Sequence, residues 1–268
     1  MKKFKKQLLA GILSAVMAVS AFASATPVSA ASLSAKQYFS KMNKATEKAK
    51  SYEMKMSMDM DMVSGGETSS TKTTTTLITF TDPLKVKSVM NMSVTAGGET
   101  TNIKMTSYSK QKNNKLIQYT STDGKTYAKS TLDLSDYSDM LGSMQSNDMY
   151  SGLKIVKKNV TVNGKSTVQI KAAIKGQDIA ELLSGLGLED ETQTSYDYSS
   201  LAPITVTIWI DKKTYYPVKQ TIDMKDFMNG YLASLSTDSD LSYSKIKTTV
   251  TYKNFNKATK FSIPKACK

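Results

Sequence analysis

The chain of 268 residues contains no histidine, its basic residues are all lysine with no arginine, and its one cysteine, Cys267, stands next to the C-terminus. These absences exclude Ser-His-Asp and Cys-His nucleophiles, imidazole metal sites, zinc clusters and any disulfide within the chain. Beyond the N-terminal leader no run approaches the ~20 apolar residues that span a bilayer as a helix. Proline is scarce and tryptophan occurs once, at Trp209. The composition therefore argues against a conventional enzyme, and we expect no metal and no cofactor. Lysines outnumber acids 36 to 23, a net charge of +13.

The first thirty residues read as a signal peptide. Lys2, Lys3, Lys5 and Lys6 form a basic start, Leu8 to Ala25 is an apolar run rich in small residues, and Val28-Ser29-Ala30 suits cleavage before Ala31. An uncleaved anchor is the alternative. Loss of the four leader lysines leaves +9 for the remaining chain. With no cysteine near the cleavage point, the expectation is an extracytoplasmic protein, secreted or associated with the cell envelope and not lipid-anchored, with one domain over 31–268.

Ser34 followed by Gln37 is a capping-box pattern, and Phe39, Met42 and Ala45 continue it as a helix to about Ser51. After it, strands dominate. Gly65-Gly66, Gly97-Gly98, Asp123-Gly124 and Asn163-Gly164 mark hairpins pairing about 52–63 with 69–80, 85–95 with 100–109, 115–122 with 125–131 and 153–162 with 165–175. A fifth joins 203–210 to 215–224, and a last strand covers 244–253, making about eleven strands. Met54, Met56, Met58, Met60 and Met62 fall on one face, with Lys55, Ser57, Asp59 and Asp61 on the other. Leu84, Val86, Met90, Met92 and Val94 repeat the alternation, as do Val168 to Ile174 and Ile204 to Ile210. A period of two with one wet face specifies an antiparallel sheet packed on one side. Helix-like spacing interrupts it at Leu132–Leu153, at Gln177–Leu188 and at Asp226–Leu235, giving an α+β class.

The hairpin Ile208-Trp209-Ile210-Asp211-Lys212-Lys213-Thr214-Tyr215-Tyr216-Pro217-Val218-Lys219, the close Tyr252-Lys253-Asn254-Phe255-Asn256 through Phe261-Ser262-Ile263-Pro264, and the turn Thr81-Asp82-Pro83-Leu84-Lys85 are similar to elements of a known group. Together with the order of elements, the chain resembles the LolA/LolB/LppX-like bacterial lipoprotein carriers and lipid-binding lipoproteins, in particular their uncharacterised Gram-positive branch. The resemblance implies a curved half-barrel with short helices covering its concave face. It also implies an apolar cavity between them, which in relatives of known function holds acyl chains or a lipoprotein's anchor. Many relatives are anchored through an N-terminal cysteine, which this chain lacks.

The expected cavity wall is Met54, Met56, Met58, Met60, Met62, Met90 and Met92 on the sheet, with Leu141, Met144, Leu182, Leu183, Leu186 and Phe227 on the covering helices. Methionine is flexible and polarizable, which suits varied apolar ligands. The same strand also reads as ordinary core, and thioether copper ligation is disfavoured without histidine. Asp133, Asp136 and Asp139 read as helix-start acids rather than a calcium loop. The lysine excess suits an anionic membrane surface or cell-wall polymer, or only a solvated face; nucleic acid is not expected. Cys267 reads as exposed and able to link two chains, although a monomer is expected. The leading functional expectation is a non-catalytic protein binding a lipid or other apolar small molecule. The alternative is a cell-surface structural or interaction module with a self-filled core.

Overall fold

Three two-residue turns fold the chain back on itself. Gly65-Gly66, Gly97-Gly98 and Asn163-Gly164 all hold positive φ, the backbone of the hairpin turns that match the right-handed twist of strands. In the computed structural model, which describes residues 33–133, 150–179, 198–235 and 240–267, they organise a single antiparallel sheet.

The elements are α1 (Ala35–Glu47), β1 (Ser51–Ser64), β2 (Glu67–Thr81), β3 (Leu84–Ala96), β4 (Glu99–Lys112), β5 (Lys115–Ser121), β6 (Ala128–Asp133), β7 (Tyr150–Val162), β8 (Lys165–Ile174), β9 (Ile204–Asp211), β10 (Pro217–Asp223), α2 (Lys225–Leu235) and β11 (Ser242–Lys253). The strand order is β6-β5-β4-β3-β2-β1-β11-β10-β9-β8-β7. Two meanders are therefore joined at the centre, where the first strand pairs with the last. The sheet is open and curved, as anticipated.

The alternation holds through the register. Met54, Met56, Met58 and Met60 face Leu77, Thr75, Thr73 and Thr71 of β2 on one side, and Tyr252, Val250, Thr248 and Ile246 of β11 on the other. One irregularity, between Asp61 and Met62, places Met62 opposite Tyr243. The inner face over β7–β11 is sealed by helices. α1, capped as expected by Ser34 and Gln37, inserts Phe39 and Met42 and sets Phe39 against Tyr150 at 4.9 Å between ring centroids. α2 adds Phe227, Met228 and Leu232, and Ile170, Ile174, Ile204, Val206 and Ile222 lie beneath fully buried.

Several expectations need correction. The helical spacing of Leu132–Leu153 misleads at both ends, because Leu132 pairs with Leu116 in β6 and Tyr150 with Ile174 in β7. Asp133 accordingly ends a strand rather than opening a helix; Asp136 and Asp139 lie outside the described residues. Asp123-Gly124 is part of a loop between Ser121 and Ala128 rather than a two-residue turn. The Asp123 carboxylate there accepts from the Lys125 and Thr126 amides and the Ser121 hydroxyl, an arrangement of turn rather than catalytic chemistry. The β4–β5 turn, Asn113-Asn114, contains no glycine and relies on Asn113 at φ 55°.

Cys267 is buried, not exposed. After β11 the chain turns through Asn254 and Asn256, both at positive φ, and crosses the outer face toward β5. Asn256 bonds through its amide to the Ser51 carbonyl at 2.7 Å. Phe255 stacks on Tyr216 at 4.0 Å, and Phe261 reaches Phe80 and Tyr108. Cys267 packs with Tyr108 and Tyr119. Lys85 is half-buried and donates to the Phe261 carbonyl at 2.7 Å.

Glu53 secures this tail. Its carboxylate accepts from the Thr259 amide at 2.8 Å and hydroxyl at 2.7 Å, with the Lys253 ammonium 3.3 Å away. Burial pushes its pKa up, but the bonds from Thr259, Asn254 and Lys253 outweigh that and lower it to about 2. A carboxylate held below its free value stabilises the fold at pH above about 4.5, and that contribution is lost as pH falls from there toward 2. Glu53→Gln is expected to lower stability at pH 7 by ~1–3 kcal/mol and to flatten acid destabilisation in that window, measured by thermal melts between pH 2 and 7. A second expectation concerns Gly176, where any Cβ would collide with the Tyr198 carbonyl. Gly176→Ala should cost ~1–3 kcal/mol in denaturant unfolding.

Candidate functional site

The inner face divides into two halves of different chemistry. Over β7–β11 it is aliphatic and closed. Over β2–β5 it is carried by Thr71, Thr73 and Thr75, then Ser88, Met90, Met92 and Val94, then Ile103, Met105 and Ser107. Among the described residues the helices make their main contacts with β7, β9 and β11. Val86, Met90, Met92, Val94, Ile103 and Met105 are correspondingly only half-buried. Cross-strand pairing puts Met90 beside Met105 and Met92 beside Ile103, so a contiguous soft apolar surface lies in the trough.

The methionines of β1 are the ridge between the halves. Met54, Met56, Met58, Met60 and Met62 are all at most 5% exposed. Met60 and Met62 belong to the helix-covered core with Phe227, whereas Met54 and Met56 cluster with Tyr52, Val250 and Tyr252. The expected wall is thus distributed: Phe227 and the upper methionines lie in packed core, and Met90 and Met92 on the open side. Leu141, Met144, Leu182, Leu183 and Leu186 lie outside the described residues.

Away from the hairpin ends, the inner-face positions of β1–β4 and β8–β11 carry no charged side chain, because the lysines and acids fall on alternate, outward positions; only Glu67 and Glu99, exposed at the first residues of β2 and β4, share the inner parity. The other polar groups on the inner side are neutral. Buried Gln220 accepts a hydrogen bond from the Tyr252 hydroxyl at 3.2 Å. Thr71 and Thr248, flanking the methionine ridge at 2% and 0% exposure, have hydroxyls with no hydrogen-bond partner among the described residues. Pattern reasoning missed these hydroxyls, although the alternating threonines Thr71, Thr73 and Thr75 were present to be read.

The acids with altered proton affinity lie elsewhere. Glu53 holds the tail, and Asp123 its loop. Asp211 is raised by burial but lowered further by the Lys213 amide, the Thr214 hydroxyl and nearby Lys165, which pin the β9–β10 turn. None converges with another on a cleft. Among the described residues no group of three His, Cys, Asp or Glu could hold a metal ion, and no helix is long and apolar enough to cross a membrane.

Several solved structures are similar to this chain. The chain is similar to the lipoprotein LppX of Mycobacterium tuberculosis at 13% identity, with 84% of this chain and 97% of that one covered and a TM-score of 0.45. It is also similar to a DUF1329 family protein from Desulfovibrio piger (10% identity, 85% and 93% covered, TM-score 0.25). A third similar structure is a putative outer membrane lipoprotein-sorting protein domain from Vibrio parahaemolyticus (10% identity, 75% and 83% covered, TM-score 0.20). No curated protein matches the sequence. Over residues 34–268 the chain matches the profile of a family of unknown function, and it belongs to that family, DUF6612.

Proposed function

We propose that this protein is an exported, non-catalytic binder that holds an apolar ligand, an acyl chain or comparable lipid part, in the trough of its curved sheet. The observation that carries the reading is the half-buried, uncharged surface of Met90, Met92, Val94, Ile103 and Met105 beside the methionine ridge. A contiguous apolar surface left open on a folded protein marks a binding site. Methionine adapts to ligands of varied shape, and uncharged walls impose no desolvation cost on an apolar guest. Burial yields ~0.8 kcal/mol per methylene, while association costs at least ~4 kcal/mol. A chain of about ten carbons or more is therefore needed for useful affinity. The absence of histidine and the structural duties of Glu53, Asp123 and Asp211 support a non-catalytic role. The signal-like first thirty residues support extracytoplasmic placement.

A second reading, a module that binds no ligand, is favoured by one observation: the β7–β11 half is filled by the protein's own helices. Native mass spectrometry of the purified chain, with organic extraction of what co-purifies, separates the two. A released lipid is expected; a clean apo mass with no uptake of a fluorescent fatty acid would favour the module.

The residues differ in what their replacement tests. Met58 and Met60 are buried, so an aspartate there is expected to unfold the sheet. Met90→Asp with Met92→Asp, on half-buried positions, should retain the far-ultraviolet circular dichroism of the fold and lose at least tenfold in affinity for the fluorescent fatty acid. Retained affinity in that folded double variant would remove β3 from the site.

A further inference from the structure

The outer face of the sheet has its own organisation, read from the strand registers. Thr207, Thr221, Thr249, Ser57 and Thr74 are successive cross-strand neighbours on β9, β10, β11, β1 and β2. They form a lane of five half-exposed hydroxyls at ~4.8 Å spacing. The lane continues at one end into Lys171 and Lys154, directly paired across β8 and β7, and at the other into Asn91 and Lys104. Lys55 and Lys219 border it on one side, Lys72 and Lys247 on the other.

The charge along the lane is not balanced within the molecule. None of Lys55, Lys72, Lys154, Lys171, Lys219 and Lys247 forms an ion pair among the described residues. Of the acids on this surface, Asp59 is held by Lys245 at 3.0 Å, leaving Asp61 and Asp223 as the local counter-charge. Like charges directly opposite in a sheet are destabilising, so the exposed Lys154–Lys171 pair is a place where an anion would relieve repulsion. The C-terminal tail covers the face at the level of Glu53, Phe80, Lys85 and Tyr108. The hydroxyl lane lies beyond those residues along the strands.

From this arrangement the geometry points to a second binding surface, for an extended phosphodiester-linked polyol chain lying across the strands. Ammonium groups on both borders would meet its phosphates, and the hydroxyls between them would bond to phosphate and polyol oxygens. The charge complementarity identifies a polyanion. The hydroxyl lane distinguishes a hydrogen-bonding polymer from a bilayer, since none of its five residues is an aliphatic side chain that could enter a membrane, and the outer side of a curved sheet suits a flexible chain. The inference is independent of the apolar trough, which lies on the opposite face.

The test is titration of the purified full chain with a synthetic poly(glycerol phosphate) oligomer at low and at physiological salt. Binding that weakens as salt rises is expected. The variant K55Q/K72Q/K154Q/K171Q/K247Q should bind at least tenfold more weakly with a shallower salt dependence. The control K36Q/K48Q/K125Q/K175Q/K257Q, with the same loss of charge, should stay within about threefold of the parent. T207V/T221V/T249V, with an unchanged melting temperature, should lose about threefold or more at physiological salt. Equal weakening by both lysine sets would reduce the effect to net charge and overturn the lane. So would tighter binding to phosphatidylglycerol vesicles or to single-stranded DNA than to the oligomer, or no binding to the oligomer.

Discussion

Every property of this molecule depends on the strict two-residue alternation of its strands, kept in register across the sheet. Because side chains of a strand point alternately to opposite faces, Met54-Lys55-Met56-Ser57-Met58-Asp59 divides into an apolar side and a charged side. Pairing transmits that division to β2 and β11, and from them to the neighbouring strands. A one-residue slip of β1 would turn Lys55 and Asp59 into the core and the methionines out to water, at a cost far beyond the marginal stability of a folded domain. Burial thereby locks the register. The result is a sheet with lysines on its outer face and, away from the exposed strand starts at Glu67 and Glu99, neutral side chains within.

Within the neutral face, residue type separates two tasks. The β7–β11 half uses isoleucine and valine, whose branched, stiff side chains fit one packed arrangement, and it receives α1 and α2. The β2–β5 half uses threonine, serine and methionine, which pack less decisively, and it remains partly open. Between them the β1 methionines serve both sides, filling the core with Phe227 at one end and meeting Tyr52 and Tyr252 at the other. The two functional readings, filled module and ligand carrier, thus correspond to two halves of one sheet.

Much of this was legible in the sequence. The turns at Gly65-Gly66, Gly97-Gly98 and Asn163-Gly164, the capping box at Ser34 and the inward set from Met54 to Met62 all depend on local chemistry, which pattern reading captures. The helical reading of Leu132 to Leu153 overran at both ends, where pairing with β5 and β8 makes strands that local spacing does not reveal; residues 134–149 lie outside those described. The partition of the inner face was not visible, since it depends on which strands the helices cover. Cys267 was misplaced for a similar reason. Nothing near it in sequence reveals that the tail crosses the outer face to reach Tyr108 and Tyr119.

The central pairing of β1 with β11 also governs how the molecule is made. Nearly the whole chain separates the two partners, so closing that pair carries a large loop entropy and a slow search. Until β11 arrives, β1 is an unprotected edge whose apolar side is a row of methionines, the kind of strand that recruits foreign partners. A polypeptide emerging amino-terminus first would hold one meander, β1–β6, with that edge open while the other half is still being delivered. The strand that completes the sheet is the last one to appear, and the tail that follows it lies back across the outer face of the first-formed half. Assembly is therefore sealed from the carboxyl end, and a chain interrupted before β11 would be left as two unjoined half-sheets.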